Sequence, residues 1–418
     1  MGRSPADPFC VKDFWPRAEP GDVLVLLDGL YQGPSSMVNP PAGLCGQAGA
    51  PITIRAMNDG RVRIDGQGRH VPVRLEGNDY LVIEGMDACD SSTTVVQLSN
   101  SNYCEIKRVC AWDAGAVGNN AIFGVHYGQY NLLEDCAGWG LARKTFTCSQ
   151  EGNYTTFRRC WGRWEGSHVI GCKTTFEWAY NSYNNIMENC IGTWDTSTGK
   201  MQETYVLQDY YGNEIGPTYS DYGVNSAYGI FTGGGYYEGW SHVANCRLLG
   251  CIAYTLPITT RISFGSDTGL FFVTKVDSLN IEESAAYSSQ DDLRPFALYS
   301  QNAPDVAENV YLTRCTGIGA RDSLVHSVWH TTDNLLTSTA SGILAPVGGL
   351  GATIDKRYVD GVLTADDLWP WPMDDRIYDA MVEAGYSQPV HVTQTIGELG
   401  VDLVMEQPPA APASRPAR

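Results

Sequence analysis

A column of cysteines constrains this chain more than any other feature. The segments Leu133-Glu-Asp-Cys136, Phe157-Arg-Arg-Cys160, Met187-Glu-Asn-Cys190, Val243-Ala-Asn-Cys246 and Leu312-Thr-Arg-Cys315 share one frame: an apolar residue, two mostly polar residues, then Cys. Ile83-Glu-Gly-Met86 and Ile281-Glu-Glu-Ser284 keep the frame with another final residue, and Lys107-Arg-Val-Cys110 keeps it with a polar first one. The final positions step by 24 (86 to 110), 26 (110 to 136), 24 (136 to 160) and 30 (160 to 190), then by 56, 38 and 31. A unit of about 24 residues is too short for tetratricopeptide or ankyrin repeats, and the Leu frame of leucine-rich repeats is absent. The units are short runs of β-branched and aromatic residues between Gly and Asn, which reads as strands and turns. A right-handed single-stranded parallel β-helix, an all-β solenoid with one turn per repeat, accounts for both period and content. Its rungs stack about 4.8 Å apart.

In such a coil the cysteines form a ladder of buried, unbridged thiols, each packing as a small hydrophobe. Disulfide or metal roles are the alternatives; the 13 cysteines are odd in number and include no CxxC pair. A second column supports the register. The residues two before the ladder, Glu84, Arg108, Glu134, Arg158 and Glu188, alternate in sign. The apolar residues at ladder and three-before positions would face opposite sides of a regular strand, so a bend must separate them.

The organisation expected is an N-terminal cap segment over residues 1–20, the coil over 21–345 with a Tyr-rich insertion at about 196–240, a C-terminal cap over 346–405 and a disordered Pro/Ala tail over 406–418. Asp374 to Ala384 reads as a short amphipathic helix with Ile377, Met381 and Val382 on one side and Gly385 as its stop, and a second short helix is expected over 395–399. Both fit a cap that closes the open end of the coil.

Composition narrows the function. The net charge is −19, which disfavours a general nucleic-acid partner. No run of about 18 apolar residues is present, so no membrane span is expected. No secretory signal is legible at the N-terminus. Residues 143–173 carry Arg143, Lys144, Arg158, Arg159, Arg163 and Lys173 against Glu151 and Glu165, a local basic excess suited to an acidic sugar. Lys144 and His168 each follow a ladder cysteine by eight residues, so they fall on neighbouring rungs with Arg163 nearby. Asp291-Asp292 is the one carboxylate pair for glycoside hydrolysis and reads as a turn.

The opening phrases Pro20-Gly-Asp-Val23, Gly29-Leu-Tyr31, Ala50-Pro-Ile-Thr-Ile-Arg-Ala56 and Arg63-Ile-Asp-Gly66 resemble the N-terminal turns of parallel β-helix polysaccharide lyases. The string Ala142-Arg-Lys144, Gly152-Asn153, Phe157-Arg-Arg-Cys160 is similar to the region around the catalytic Lys of family-nine pectate lyases. The resemblance implies β-elimination on an acidic polysaccharide, with Lys144 as the base, an action outside the cell or on a cell surface or virion, and Ca²⁺ as the cofactor. Arg143, Arg163 and His168 complete the catalytic candidates; Lys173, Trp139, Trp164, Tyr210 and Tyr211 are candidates for holding the sugar chain. The chain departs from the family in one respect. Asp113, Asp135 and Asp195 are scattered singles, where the family holds calcium with clustered aspartates. That leaves open an elimination in which Arg143 or Arg163 neutralises the sugar carboxylate without metal. The competing reading is a non-catalytic surface, adhesive or phage-tail-like β-helix that binds glycans or builds structure.

Overall fold

The chain winds into a right-handed parallel β-helix whose faces are three parallel sheets of 11, 11 and 9 strands. The computed structural model describes residues 8–115, 118–165, 174–194, 229–233, 243–255, 269–273, 276, 278–288, 293–298, 310–319, 322–325, 330–332, 334–337, 357–359, 362–364, 373–386, 388–392 and 394. A typical rung places Leu132–Glu134 in the first sheet, Ala137–Trp139 in the second and Lys144–Ser149 in the third. Each strand hydrogen-bonds its counterparts one rung before and one rung after.

The bend demanded by the sequence is a single left-handed residue between the first and second sheets. It is Gly85, Arg108, Asp135, Arg159, Asn189, Gly250, Glu283 and Arg314 on successive rungs, with φ between 47° and 78°. Reversing the chain at this point lets Leu133 and Cys136 both face the interior, where each is at most 1% exposed.

This corner corrects two rungs of the ladder. Cys110 pairs with Asp87 and Ala137, so Val109 is the residue aligned with Met86 and Cys136, and Cys110 points outward. Met187 pairs with Leu248, so Cys251, not Cys246, follows Cys190. Cys246 sits at the opposite corner, one residue after the left-handed Asn245. The ladder is therefore Met86, Val109, Cys136, Cys160, Cys190, Cys251, Ser284 and Cys315. Its thiols are unbridged, as are all the described cysteines. Each bonds a carbonyl of the preceding rung: Cys136 Sγ to Ile106 O at 3.3 Å, Cys160 to Leu133, Cys190 to Phe157 and Cys251 to Met187, the last three at 3.4 Å. The ladder is thus small enough for the core and also satisfies buried carbonyls.

The charge column shifts with the register. Lys107, not Arg108, is aligned with Glu84 and Glu134, and the alternation continues through Arg158 and Glu188. Arg108 at the corner still reaches Glu84 (Nη2 to Oε1, 2.7 Å). The core side of the third sheet is an aromatic stack. Phe123, Phe146, Phe176, Phe231, Phe271 and Phe296 follow one another at centroid spacings of 4.6 to 4.9 Å.

Helix α1, Asp374–Glu383, forms where expected, with two aspartates in its first turn and Gly385 at φ 75° behind it. Ile377, Ala380 and Met381 are buried, whereas Val382 is 50% exposed, so Ala380 takes the place expected for Val382. The helix covers the outer face of the second sheet, along the flank of the coil and away from its C-terminal end. Its residues join a cluster with Cys110, Trp112, Trp139 and Trp161. Polar contacts fix it there. Arg376 Nη2 lies 2.6 Å from Asp87, Glu383 pairs with Arg63 at 3.1 Å, and Tyr386 donates to Asp113 at 2.9 Å. At the other end, Val11, Phe14 and Trp15 insert into the core. The Tyr-rich insertion (apart from 229–233), the second short helix and the Pro/Ala tail lie outside the described residues. Among the described residues no helix is long and apolar enough to cross a membrane.

Candidate functional site

The outer face of the third sheet carries a polar cluster that the coil itself does not require. Strand Lys144–Ser149 creates it by a break in alternation. Lys144 pairs with Ala121 and Thr174, and Phe146 pairs with Phe123 and Phe176. Thr145 between them points inward; a Cβ on Gly138 would lie 2.8 Å from its methyl. With Thr145 and Phe146 both facing in, Lys144 and Thr147 are turned out.

Lys144 is buried beside an equally buried carboxylate. Its Nζ lies 2.5 Å from Glu177 Oε2, and the two side chains are 5% and 7% exposed. Thr147 Oγ1 donates to the same oxygen at 2.7 Å. The Tyr180 ring stands over Lys144, 5.7 Å from Nζ to centroid. One rung earlier, His126 Nδ1 and Ser149 Oγ are 3.0 Å apart. Gly124 makes room for this imidazole, since a Cβ there would approach Nε2 to 3.0 Å. Burial, reinforced by the charge of Lys144 and opposed by Glu177, pushes the His126 pKa down to about 4. The imidazole is therefore neutral at neutral pH, with Nδ1 engaged by Ser149.

The expected site residues separate. Arg143 directly precedes Lys144 and is half-buried, its backbone N–H donating to Asn120 O at 3.1 Å. Arg163 belongs to the second sheet, on strand Trp161–Trp164, and is 1% exposed. It pairs with buried Glu165 at 2.6 Å and donates to the Gln388 carbonyl at 3.1 Å, beneath the segment that follows α1. It is thus committed to holding that segment and is closed off from any sugar at Lys144. Trp139 is fully buried against Trp112 and Tyr386, and Trp164 is a core residue whose indole N–H donates to Ala142 O at 2.8 Å. Neither ring is presented to a sugar. Arg158 lies on the first sheet, paired to Glu188 at 2.9 Å, and Arg159 is buried against Asp135 at 2.6 Å. The basic excess of 143–173 is therefore dispersed over several faces. His168, Lys173, Tyr210 and Tyr211 lie outside the described residues.

Sequence reasoning missed His126 and Glu177. The Phe column carried the signal. Aligning Phe123, Phe146 and Phe176 brings Gly124, Thr147 and Glu177 into one row, and His126 and Ser149 into another.

The donors among the described residues do not fit calcium. Ca²⁺ takes six to eight oxygens. Among the described residues at the cluster, Glu177 is the one carboxylate, and Lys144 and Thr147 already engage it. The groups elsewhere that could converge on an ion, Asp65 with Cys89 and Asp90, and Asp374 with Asp375 and His391, belong to other faces of the molecule.

No family model matches this chain. No curated protein matches it either. Solved structures do. Pectate lyase Pel9A is similar at a TM-score of 0.53 and 13% identity, over 82% of this chain and 78% of that one. A rhamnogalacturonan lyase is similar at 0.51 and 14% identity, over 91% of this chain and 94% of that one. The chain shares its right-handed parallel β-helix fold with these polysaccharide lyases.

Proposed function

We propose that this chain is a carbohydrate-active β-helix protein that cleaves an acidic polysaccharide by β-elimination on the outer face of its third sheet. One observation carries the reading: Lys144, the residue singled out by resemblance, stands between His126 and Glu177 on three successive rungs. A charged pair buried on the outside of a solenoid costs desolvation that an apolar pair would not, so a functional role for it is favoured. The reaction needs a base for the proton beside the sugar carboxylate and a group to offset the charge that then develops. Lys144 acts as the base, with Glu177 beside it as a ready acceptor of its ammonium proton. The proton that Lys144 takes from the sugar carbon passes to the leaving oxygen, which restores the free amine, and the neutral His126 in the same cluster steadies that oxygen by donating a hydrogen bond from Nε2–H. Such substrates are met outside the cell, and the reading places the protein's work there.

A second reading rests on the burial of the same pair. With Lys144 only 4% exposed, the pair serves equally as a structural tie in a non-catalytic β-helix that binds glycans. An ultraviolet assay for unsaturated uronic products separates the two. It would use pectate, alginate and glycosaminoglycans, with Ca²⁺ or with chelator, for the wild type and Lys144→Ala. Circular dichroism would confirm that the variant folds. A signal that persists in chelator and disappears in the folded variant supports the lyase. No signal on any substrate sinks it and leaves the binding protein.

A further inference from the structure

A second surface of the coil has the chemistry of a ligand rail. At the corner between the third and first sheets, Tyr80, Tyr103, Tyr130 and Tyr154 stack with centroids 4.8, 4.9 and 4.6 Å apart and planes within 10° of parallel. Tyr103, Tyr130 and Tyr154 are 45 to 46% exposed. All four are left-handed, with φ between 52° and 57°. That backbone suits Asn and is unfavourable for a bulky side chain. Two later rungs of the column do carry Asn, Asn184 and Asn245, at φ 59° and 53°. The early rungs thus repeat a ring where the backbone favours an amide, and backbone strain of this kind concentrates at functional positions.

The rail's surroundings define what it can hold. Stacking occupies the ring faces, so a ligand meets edges and hydroxyls, repeated once per rung along the coil axis. Beside the rings runs a row of amides. Asn102 Nδ2 donates to Asp79 Oδ1 at 2.9 Å, Gln129 N donates to Asn102 Oδ1 at 2.9 Å, and Tyr183 N donates to Asn153 Oδ1 at 2.7 Å. The corner residues 77–80, 100–103, 127–130 and 150–154 contain Asp79 and Glu151 and no Lys, Arg or His. Hydroxyls and amides with acidic groups alone repel a polyanion and match a hydroxyl-rich neutral chain.

We propose that this tyrosine ridge binds an uncharged linear polysaccharide lying along the coil axis. The surface is distinct from the Lys144 cluster, and the proposal stands whether or not that cluster is catalytic. Native affinity electrophoresis tests it, with soluble mixed-linkage β-glucan, xylan or polygalacturonate cast in the gel. The expected result is retardation by a neutral glycan and none by polygalacturonate. Tyr103→Asn/Tyr130→Asn removes two rings while giving the backbone a residue it prefers, and should weaken retention about ten-fold with the fold intact. Tyr103→Phe/Tyr130→Phe keeps the stack, removes the hydroxyls and should also weaken retention. Absence of retardation on both neutral glycans overturns the proposal. So does stronger retention on polygalacturonate, or unchanged retention in the Phe pair.

Discussion

Replacing Lys144 with Met would strip a buried carboxylate of its partner. At 2.5 Å between Nζ and Oε2, and with an effective dielectric of about 20, the gross attraction is about 7 kcal/mol. Desolvating both ions cancels a large part of that. What matters for the single variant is the charge left behind. Glu177 would keep its bond from Thr147 Oγ1 at 2.7 Å but would remain a buried anion without a counterion. The expected cost of Lys144→Met is about 3–5 kcal/mol. Removing both charges in Lys144→Met/Glu177→Leu should bring stability back to within about 1 kcal/mol of wild type, because no ion is then stranded. Urea unfolding followed by tryptophan fluorescence, with midpoint and slope compared across the cycle, reads both numbers. A single variant costing less than about 1 kcal/mol would refute the reasoning, as would a double variant no more stable than the single one. The same cycle guards the activity assay, since loss of turnover in an unfolded variant says nothing about a base.

Two further outcomes follow from burial. Burial pushes the thiols of Cys104, Cys246 and Cys315 up to about 12, and Cys10 is the exposed cysteine among those described. Thiol titration of the native protein should therefore show a fast phase that Cys10→Ser diminishes by one thiol, and all 13 thiols should react after unfolding without reductant. A shortfall after unfolding would mean that bridges replace the ladder. Burial also pushes the Asp87 carboxyl up to about 6, against the pull of Arg376 and Arg63. Because the folded pKa lies above the unfolded value of 3.8, stability from this group is fully present below about pH 4 and is lost as the pH rises through 6. The loss is about 3 kcal/mol, and Asp87→Asn should flatten that part of the stability–pH curve. An identical slope in the variant would show that Asp87 does not titrate there.

Much of the fold was legible because a solenoid repeats its constraints. The apolar frame recurred on enough rungs to give strand, turn and ladder together, and the two-inward pattern at Leu133 and Cys136 announced the corner. The frame failed where one residue could stand in for its neighbour. Val109 is as apolar as Cys110, and the Val243-Ala-Asn-Cys246 segment imitates the ladder sequence at the wrong corner. The site was less legible. Lys144 was visible as a residue but its partner Glu177 lies 33 positions away, and only the Phe stack reveals that they share a face. Arg163, Trp139 and Trp164 misled because charge and aromaticity in a window do not say which of three faces a side chain joins. Nor did the amphipathic pattern of Asp374–Glu383 say which apolar surface the helix would cover.

The left-handed corner also decides how this molecule can be altered. Cys190 and Cys251 are 61 positions apart (251 − 190), yet they are stacked neighbours, bridged by the thiol of Cys251 on the Met187 carbonyl. From Gly85 to Arg314 the joint between first and second sheets turns on one left-handed residue per rung, while the chain between other strands varies in length. An insertion at those variable places is therefore absorbed within its own turn and leaves the alignment of every later turn untouched. A residue added at the joint itself would swap the inward and outward sides of the next strand. The coil thus behaves as a rack with one rigid rail, on which loops can be exchanged rung by rung without rebuilding the frame that carries them.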